Sequence, residues 1–547
     1  MNESDAGEKE FTRGELLKAA AFAAPALILG RTAAAAAGAK PAPSRRLGRT
    51  RGLGGMNVLL FLTDQQRAVQ HFPPGWVGRN MPGLNRLLER GMLFEQAFTN
   101  ACMCSPARST LMSGYFPAQH GVKYTLETDM PAPQYPQVEL STYFKNLASV
   151  SCAAGYTPVY KGKFHCNKPA NGSDWVPEDV NKYGFTRWDP PDAGADQSIP
   201  EEGGGIYDND GRFMNSEGTP EAGTEGAVQY LRDTAAKHQP FFMVVSLVNP
   251  HDVLLYPKTY EAGGYDPAWL EGEIGLPATV DEDLSTKPTV QSEFRRIFNL
   301  SGPIPTPQMK RNYLNFYGNL MKASDQYLVK ILDTLEARGL LENTLIVATA
   351  DHGEMGTAHG GLRQKNFNFY EETMRVPLVY SNPRLFPGPE QNPSLVSHVD
   401  FLPTLASLLD TPPHARANWQ GVDYSDQILS RSARPPQAYT VFTYDDWQSG
   451  QASGPYPKPP NHIVSIREDR YKIARYYDAN GKVPPQWEMY DLKTDPLERT
   501  NLAYRLYRRT PEQEREFKRL KRELARVEQT RLQPLTAAEL PVVMPCG

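Results

Sequence analysis

The sequence predicts an α/β protein with a large, mostly parallel central sheet flanked by helices. A smaller C-terminal α+β domain with an antiparallel sheet follows. Three apolar runs, NVLLFL (57–62), FFMVVSLV (241–248) and TLIVATA (344–350), are rich in β-branched and aromatic residues. They read as strands buried on both faces. Helix-patterned segments such as PGLNRLLERG and GNLMKASDQYLVKILDTLEARG lie between them, and alternating strands and helices imply parallel pairing. Beyond residue 432 the pattern changes to short alternating strands in YTVFTYDDW, HIVSIREDRYKIARYY and EMYDLKTDP. These suit an antiparallel sheet, and the charged amphipathic segment PEQEREFKRLKRELARVEQTRLQ predicts a helix with a solvated face.

The remaining boundaries come from composition. At 547 residues, 40% of them hydrophobic, the chain can bury a large core and form more than one domain. A net charge of −4 from 58 basic and 62 acidic residues lacks the basic footprint of a nucleic-acid binder. No apolar run past the N-terminus reaches the ~18–20 residues that span a bilayer, so stable membrane insertion is not expected. Residues 1–38 combine FTRGELLK, an apolar stretch and an alanine-rich run, the order of an export signal. It resembles a bacterial twin-arginine signal with Gly14 in place of the second arginine, and implies a periplasmic, envelope or secreted protein. Residues 39–55 read as a basic Pro/Gly linker, 56–432 as the catalytic domain and 433–547 as the smaller domain. The five cysteines are too sparse and odd in number for a disulfide framework, although the spacing admits a Cys152–Cys166 bridge.

Each long strand runs into polar residues: Asp64 and Gln65 after the first, His251 after the second, Asp351 and His352 after the third. Parallel sheets bind ligands beyond the carboxyl ends of their strands, so these groups can converge. Singly, each reads equally as a helix cap or turn former. Together their oxygen and nitrogen donors suit a hard or borderline divalent cation. The segment CSPARSTLMSG adds Cys104 and Arg108. Pro106 is placed to start a helix, so Cys104 falls just before it, where free N–H groups favour negative charge. Arg108, four residues on, lies on the same side. This is a place to hold a tetrahedral oxyanion. On its own residues, Cys104 reads as a buried structural cysteine or as a thiolate nucleophile.

In order, NVLLFLTDQQR, CSPARSTLMSG, GYTPVYKGKFH, VNPHDV, ATADHGEMGTAHGGLRQKNFNFYEETMRVPLVY, SHVDFLPTLASLL and MYDLKTDPLERTNLA resemble the type I sulfatases of the alkaline phosphatase superfamily. The resemblance implies an alkaline phosphatase-like fold and conversion of Cys104 to formylglycine by a formylglycine-generating enzyme. One hydroxyl of the hydrated aldehyde attacks sulfur, and the other, once deprotonated, expels sulfate. By position it implies metal ligands Asp64, Gln65, Asp351, His352 and the modified Cys104. Arg108 and Lys163 hold the diol, His165 is the base for sulfate release, and Lys365 and His251 meet the sulfate and the leaving oxygen. Many sulfatases carry paired acids where this chain has Asp64-Gln65, and Asp-Asn where it has Asp351-His352. The Gln and His variant resembles the branch containing phosphonate monoester hydrolases and choline sulfatases. Calcium is expected first on family frequency, with manganese close behind because the site has fewer carboxylates and an imidazole. The expected substrate is a small-molecule or glycan sulfate ester. A phosphonate monoester or phosphodiester substrate is the alternative, and a non-catalytic binding protein on the same scaffold is a third reading. Tyr444, Asp445, Asp446 and Trp447 are expected to rim the pocket, and Lys163, His165, His251 and Lys365 to stand in loops serving the ester rather than the fold.

Overall fold

The structure is a computed structural model. It describes residues 52–535 except 69–70, 128–136, 171, 173, 195–203, 220–223, 235–238, 255 and 452. The expected export signal and most of the linker lie outside the described residues.

The three apolar runs become adjacent strands at the centre of a seven-stranded sheet. Its order is β4 (Thr157–Gly162), β5 (Phe241–Ser246), β1 (Asn57–Thr63), β6 (Thr344–Ala350), β7 (Leu378–Ser381), β2 (Gly91–Phe98), β8 (Glu390–Ser397). The first four run parallel, β7 is antiparallel to both its neighbours, and β2 and β8 are parallel. Alternate residues leave each central strand on opposite faces. Val58, Leu60, Phe242, Val244 and Val347 pack on one side with α3 (Leu147–Ala153) and α6 (Phe401–Leu408). Leu59, Phe61, Met243, Val245 and Ile346 pack on the other with α1 (Pro82–Glu89), α4 (Ala227–Thr234) and the 31-residue α5 (Pro307–Ala337). Continuous apolarity in these strands is therefore the consequence of two covered faces, each buried leucine or isoleucine contributing ~1.5–3 kcal/mol.

A second sheet follows the order β12 (Gln486–Asp491), β11 (Tyr471–Tyr477), β10 (His462–Glu468), β9 (Tyr439–Tyr444), β3 (Ala101–Cys102). Its C-terminal strands are antiparallel, but β3, from far earlier in the chain, joins β9 in parallel. The charged segment forms α7 (Pro511–Thr530), capped by the Thr510 side chain. Leu520, Leu524 and Val527 of α7 cover one face of this sheet. On the opposite face Phe442, Tyr444, Ile463 and Tyr476 meet Cys102, Met103, Phe367 and Tyr370. The segment leading to Cys104 is thus a strand of the C-terminal sheet. No helix among the described residues is long and apolar enough to cross a membrane.

Candidate active site

Neighbouring strands of the large sheet deliver the polar residues to one edge. The order β4-β5-β1-β6 brings Lys163 and His165, Ser246 and His251, Asp64 and Gln65, then Asp351 and His352 side by side. Thr63 and Ala350 are paired in register, so Asp64 and Asp351 leave the sheet together. The Asp351 Oδ1 accepts the N–H of Gln65 (3.0 Å) and of His352 (2.8 Å), with Gln65 in the left-handed region at φ 67°. Gly162 ends β4 at φ 98°, where a Cβ would lie 1.9 Å from the Ser246 carbonyl oxygen. Only glycine permits that approach, and the next residue, Lys163, donates its N–H to the same oxygen (2.9 Å).

Cys104 arrives from the other direction, on α2 (Cys104–Ser113). The helix begins at Cys104 itself, and Pro106 sits within the first turn, where its missing N–H costs nothing. Cys104 Sγ lies 3.2 Å from His352 Nε2 and 3.5 Å from Asp64 Oδ1. Ligand atoms of Asp64, Cys104, Asp351 and His352 all fall within 4.8 Å of one another. Two carboxylates, an imidazole and the Cys104 thiol form a donor set that fits one divalent cation. The amide oxygen of Gln65 faces Lys365 Nζ at 2.5 Å.

Arg108 is immobilised by four contacts. Its Nε donates to Asp351 (2.9 Å), and the terminal nitrogens donate to Asp64 (3.2 Å), Ser246 Oγ (2.7 Å) and the Lys163 carbonyl (2.8 Å). Lys163 Nζ pairs with Asp64 at 2.7 Å. Burial pushes the Asp64 carboxyl up, but the Lys163 ammonium, with the Arg108 guanidinium, holds it well below the ordinary range. Burial and the Asp64 charge push its neighbour Asp351 up. Burial, then Asp64, raises the Cys104 thiol to about 12, which leaves it protonated. Burial also depresses His165, His251 and His352, so the imidazoles are neutral at neutral pH. His165 places Nε2 against the Leu126 carbonyl (2.5 Å), which assigns the proton to Nε2. Its Nδ1 is buried without a hydrogen-bond partner, as is Nδ1 of His251.

The expected site residues come together; Lys163, His165 and Lys365 stand in loops and His251 on a single 3₁₀ turn, and all four are buried. Lys163 and Lys365 are 0% exposed, whereas His251 at 9% is nearest to solvent. Supporting groups carry no motif and were not anticipated. Asp192 takes the N–H groups of Phe164 and His165 (2.8 and 2.6 Å), and Asp210 takes those of Val248 and Asn249 (2.7 and 3.0 Å) just before His251. The expected rim is corrected in part. Tyr444 is fully buried and donates to the Asp446 carbonyl, and Asp446 accepts the N–H and hydroxyl of Thr125 (2.9 and 2.7 Å). Adjacent Leu126 donates its N–H to Ser105 Oγ (3.0 Å) while its carbonyl holds His165. Asp446 therefore clamps a loop behind the site instead of meeting a ligand. The Cys152–Cys166 bridge does not form, for Cys166 is free and Cys152 is disulfide-bonded elsewhere.

Fold and site are those of a hydrolase built on a mostly parallel α/β sheet, with a candidate metal-ligand cluster at the carboxyl ends of its strands. The sulfatase family model matches residues 56–411, and the model for the N-sulphoglucosamine sulphohydrolase C-terminal region matches 359–530. The chain belongs to the sulfatase family and is a sulfuric ester hydrolase. It is similar to the Δ4,5-hexuronate-2-O-sulfatase of Bacteroides thetaiotaomicron, 26% identical over 77% of this chain and 79% of that protein. The structure of a 2-O GAG sulfatase superposes with TM-score 0.63 and 20% identity, covering 87% of this chain and 92% of that one. The phosphonate monoester hydrolase of Agrobacterium radiobacter does so with TM-score 0.61 and 20% identity, covering 90% and 100%. At these identities the solved structures establish the fold.

Proposed function

We propose that the protein hydrolyses sulfate monoesters to alcohol and inorganic sulfate, with a formylglycine made from Cys104 as nucleophile. The observation that carries this reading is the position of Cys104 Sγ between Asp64 and His352, with Arg108 one helical turn on and held by both carboxylates. A hydroxyl of the hydrated aldehyde attacks sulfur, the ester S–O bond breaks, and the proton that the hydroxyl loses is relayed through His251 or Lys365 to the departing alcohol. Nδ1 of His165 then takes the proton of the second hydroxyl. The aldehyde C=O re-forms, the C–O bond to sulfate breaks, and water restores the diol. A serine or cysteine ester has no second hydroxyl and lacks this exit. Arg108 and Lys163 hold charge on the diol and sulfate oxygens. The cation, held by Asp64, Gln65, Asp351, His352 and the modified Cys104, supplies Lewis-acid stabilisation of charge at the reacting group. Calcium is the first candidate and manganese the second.

The formylglycine-generating enzyme is the transient partner this reading requires, and export through the N-terminal signal follows modification and folding. Substrates are sulfate esters of small molecules or glycans. A second reading, phosphonate monoester or phosphodiester hydrolysis at the same formylglycine, is favoured by Gln65 and His352 in positions where many sulfatases carry an acid and an amide. Peptide mass spectrometry should find the aldehyde at Cys104, and a fully active preparation with only the thiol there would overturn the mechanism. Metal-loaded protein should cleave 4-nitrophenyl sulfate faster than a phosphonate monoester or a phosphodiester; the reverse order would establish the second reading.

A further inference from the structure

Gln65 differs from the other cluster residues in a way that creates an orientation problem. An aspartate offers an oxygen whichever way it turns, whereas a primary amide offers an oxygen on one side and two N–H donors on the other. The surroundings resolve this. Gln65 Nε2 donates to Glu354 Oε2 at 2.7 Å and to Gln364 Oε1 at 3.2 Å, which leaves Oε1 turned toward Lys365. Glu354 is fully buried. Its other oxygen is committed to three donors: the Tyr313 hydroxyl (2.5 Å) and the N–H groups of Gly356 (3.0 Å) and Gln364 (2.9 Å). The backbone under Glu354 is itself anchored. Gly353 and Glu354 donate N–H groups to the carbonyls of Thr373 and Glu372 (both 2.9 Å), and Arg67 donates to the carbonyls of Glu354 and Met355 (3.1 and 3.2 Å).

We propose that Glu354 is a positioning residue for the metal site: by accepting Nε2 of Gln65 it turns the amide oxygen of that side chain toward the cation. The inference rests on the reading of Gln65 as a ligand. It yields an unusual expectation for the nearly isosteric change Glu354→Gln. The amide oxygen of Gln at 354 must take the place that three donors converge on, so its NH₂ faces Gln65. Gln65 then flips to offer its own oxygen to that NH₂ and presents N–H groups where the cation needs a lone pair. The pair Gln65→Glu with Glu354→Gln undoes the fault at constant net charge, because a carboxylate at 65 accepts from the new NH₂ and keeps an oxygen for the cation.

The test is calorimetric titration of the full-length, chelator-stripped protein with Ca²⁺ and with Mn²⁺. Loss of an outer-shell partner typically weakens metal binding ~10–100-fold. E354Q should fall in that range, close to Gln65→Ala, and the compensating pair should return to within about threefold of wild type. A merely structural role would lower the metal-free melting temperature and would not be repaired by the pair. E354Q binding as tightly as wild type, or a pair no better than E354Q, would overturn the proposal. If E354Q does not fold, the pair is compared with Gln65→Glu alone, which sets two carboxylates against each other. The pair must then bind more tightly, and equal binding refutes the proposal. Wild-type protein that takes up neither ion would sink the metal reading itself. Normal uptake by Gln65→Ala alongside loss in Asp351→Ala would sink only the assignment of Gln65 and Glu354.

Discussion

Two buried clusters in this molecule combine acids, a histidine and basic side chains, and only one of them has the character of an active site. The first is the strand edge with Asp64, Asp351, His352 and Cys104. The second lies where the 358–372 segment meets the C-terminal sheet, and its His359, Glu372 and Glu498 atoms also approach within 4.8 Å. There the groups satisfy one another. His359 Nδ1 meets Glu282 at 2.8 Å and its Nε2 lies 3.6 Å from Glu372, while the ring stacks on Tyr370 at 3.7 Å. Lys472 pairs with Glu498 (2.5 Å) and Glu371 (3.2 Å), and Arg467 also pairs with Glu371. Burial disfavours the charged imidazole, but hydrogen bonds to Glu282 and Glu372 raise His359 to about 9. At the strand edge the histidines move the opposite way, to the neutral form, and Nδ1 of His165 and of His251 has no partner. Proximity of ligand atoms is thus a poor guide to chemistry. A cluster that supplies its own counter-charges is a structural ion network; one that keeps neutral imidazoles with free lone pairs is equipped to act on something else.

The largest expected effect separates the two clusters by activity. Asp351→Ala removes a ligand and the Arg108 contact, and should lower kcat/KM by about 10⁴-fold, equivalent to the several kcal/mol a metal contributes. Chelation should abolish turnover, and unimpaired activity in rigorously metal-free protein would end the metal reading. His165→Ala should cost about 10³-fold by removing the base for sulfate release. Mass spectrometry should find the sulfated diol accumulating on residue 104, and its absence would reassign the base. Because His165 is buried, some loss of melting temperature will accompany this, unlike the pure loop substitution the sequence suggests.

At the second cluster the expected order reverses. His359→Gln leaves Glu282 and Glu372 without their buried cation and should cost about 3 kcal/mol of stability, with kcat/KM per folded molecule within about twofold of wild type. The pH dependence carries a sign. His359 is raised from 6.5 to about 9 in the folded state, so its contribution is full below pH 6.5 and lost as pH rises through about 9. The difference in denaturant stability between wild type and H359Q should therefore shrink over that window, and a difference that grew with pH would refute the assignment. The smallest effect is expected between the clusters. Asp446→Ala frees Thr125 and loosens the Leu126 carbonyl behind His165, costing about tenfold in kcat with KM little changed. A change confined to KM would instead mean that Asp446 meets the substrate.

The sequence by itself determined the central strands, the long helices and the gathering of the candidate residues at the strand ends, because each leaves a local trace. Doubly covered strands must be apolar throughout, a helix start admits Pro106, and strand ends carry Asp64, Asp351 and their neighbours. It could not determine that β3 joins the C-terminal sheet in parallel, since a two-residue strand has no periodicity to read and its partner lies over 300 residues away. Nor could it separate the two clusters, as Glu354 and Glu372 are equally acidic on the page. Only the tertiary structure decided which carboxylate faces an amide, which faces a lysine and which lies among the candidate metal ligands. Those outcomes depend on distances set by residues far apart in the chain, and on burial, which turns a small displacement of a charge into a large change in its energy.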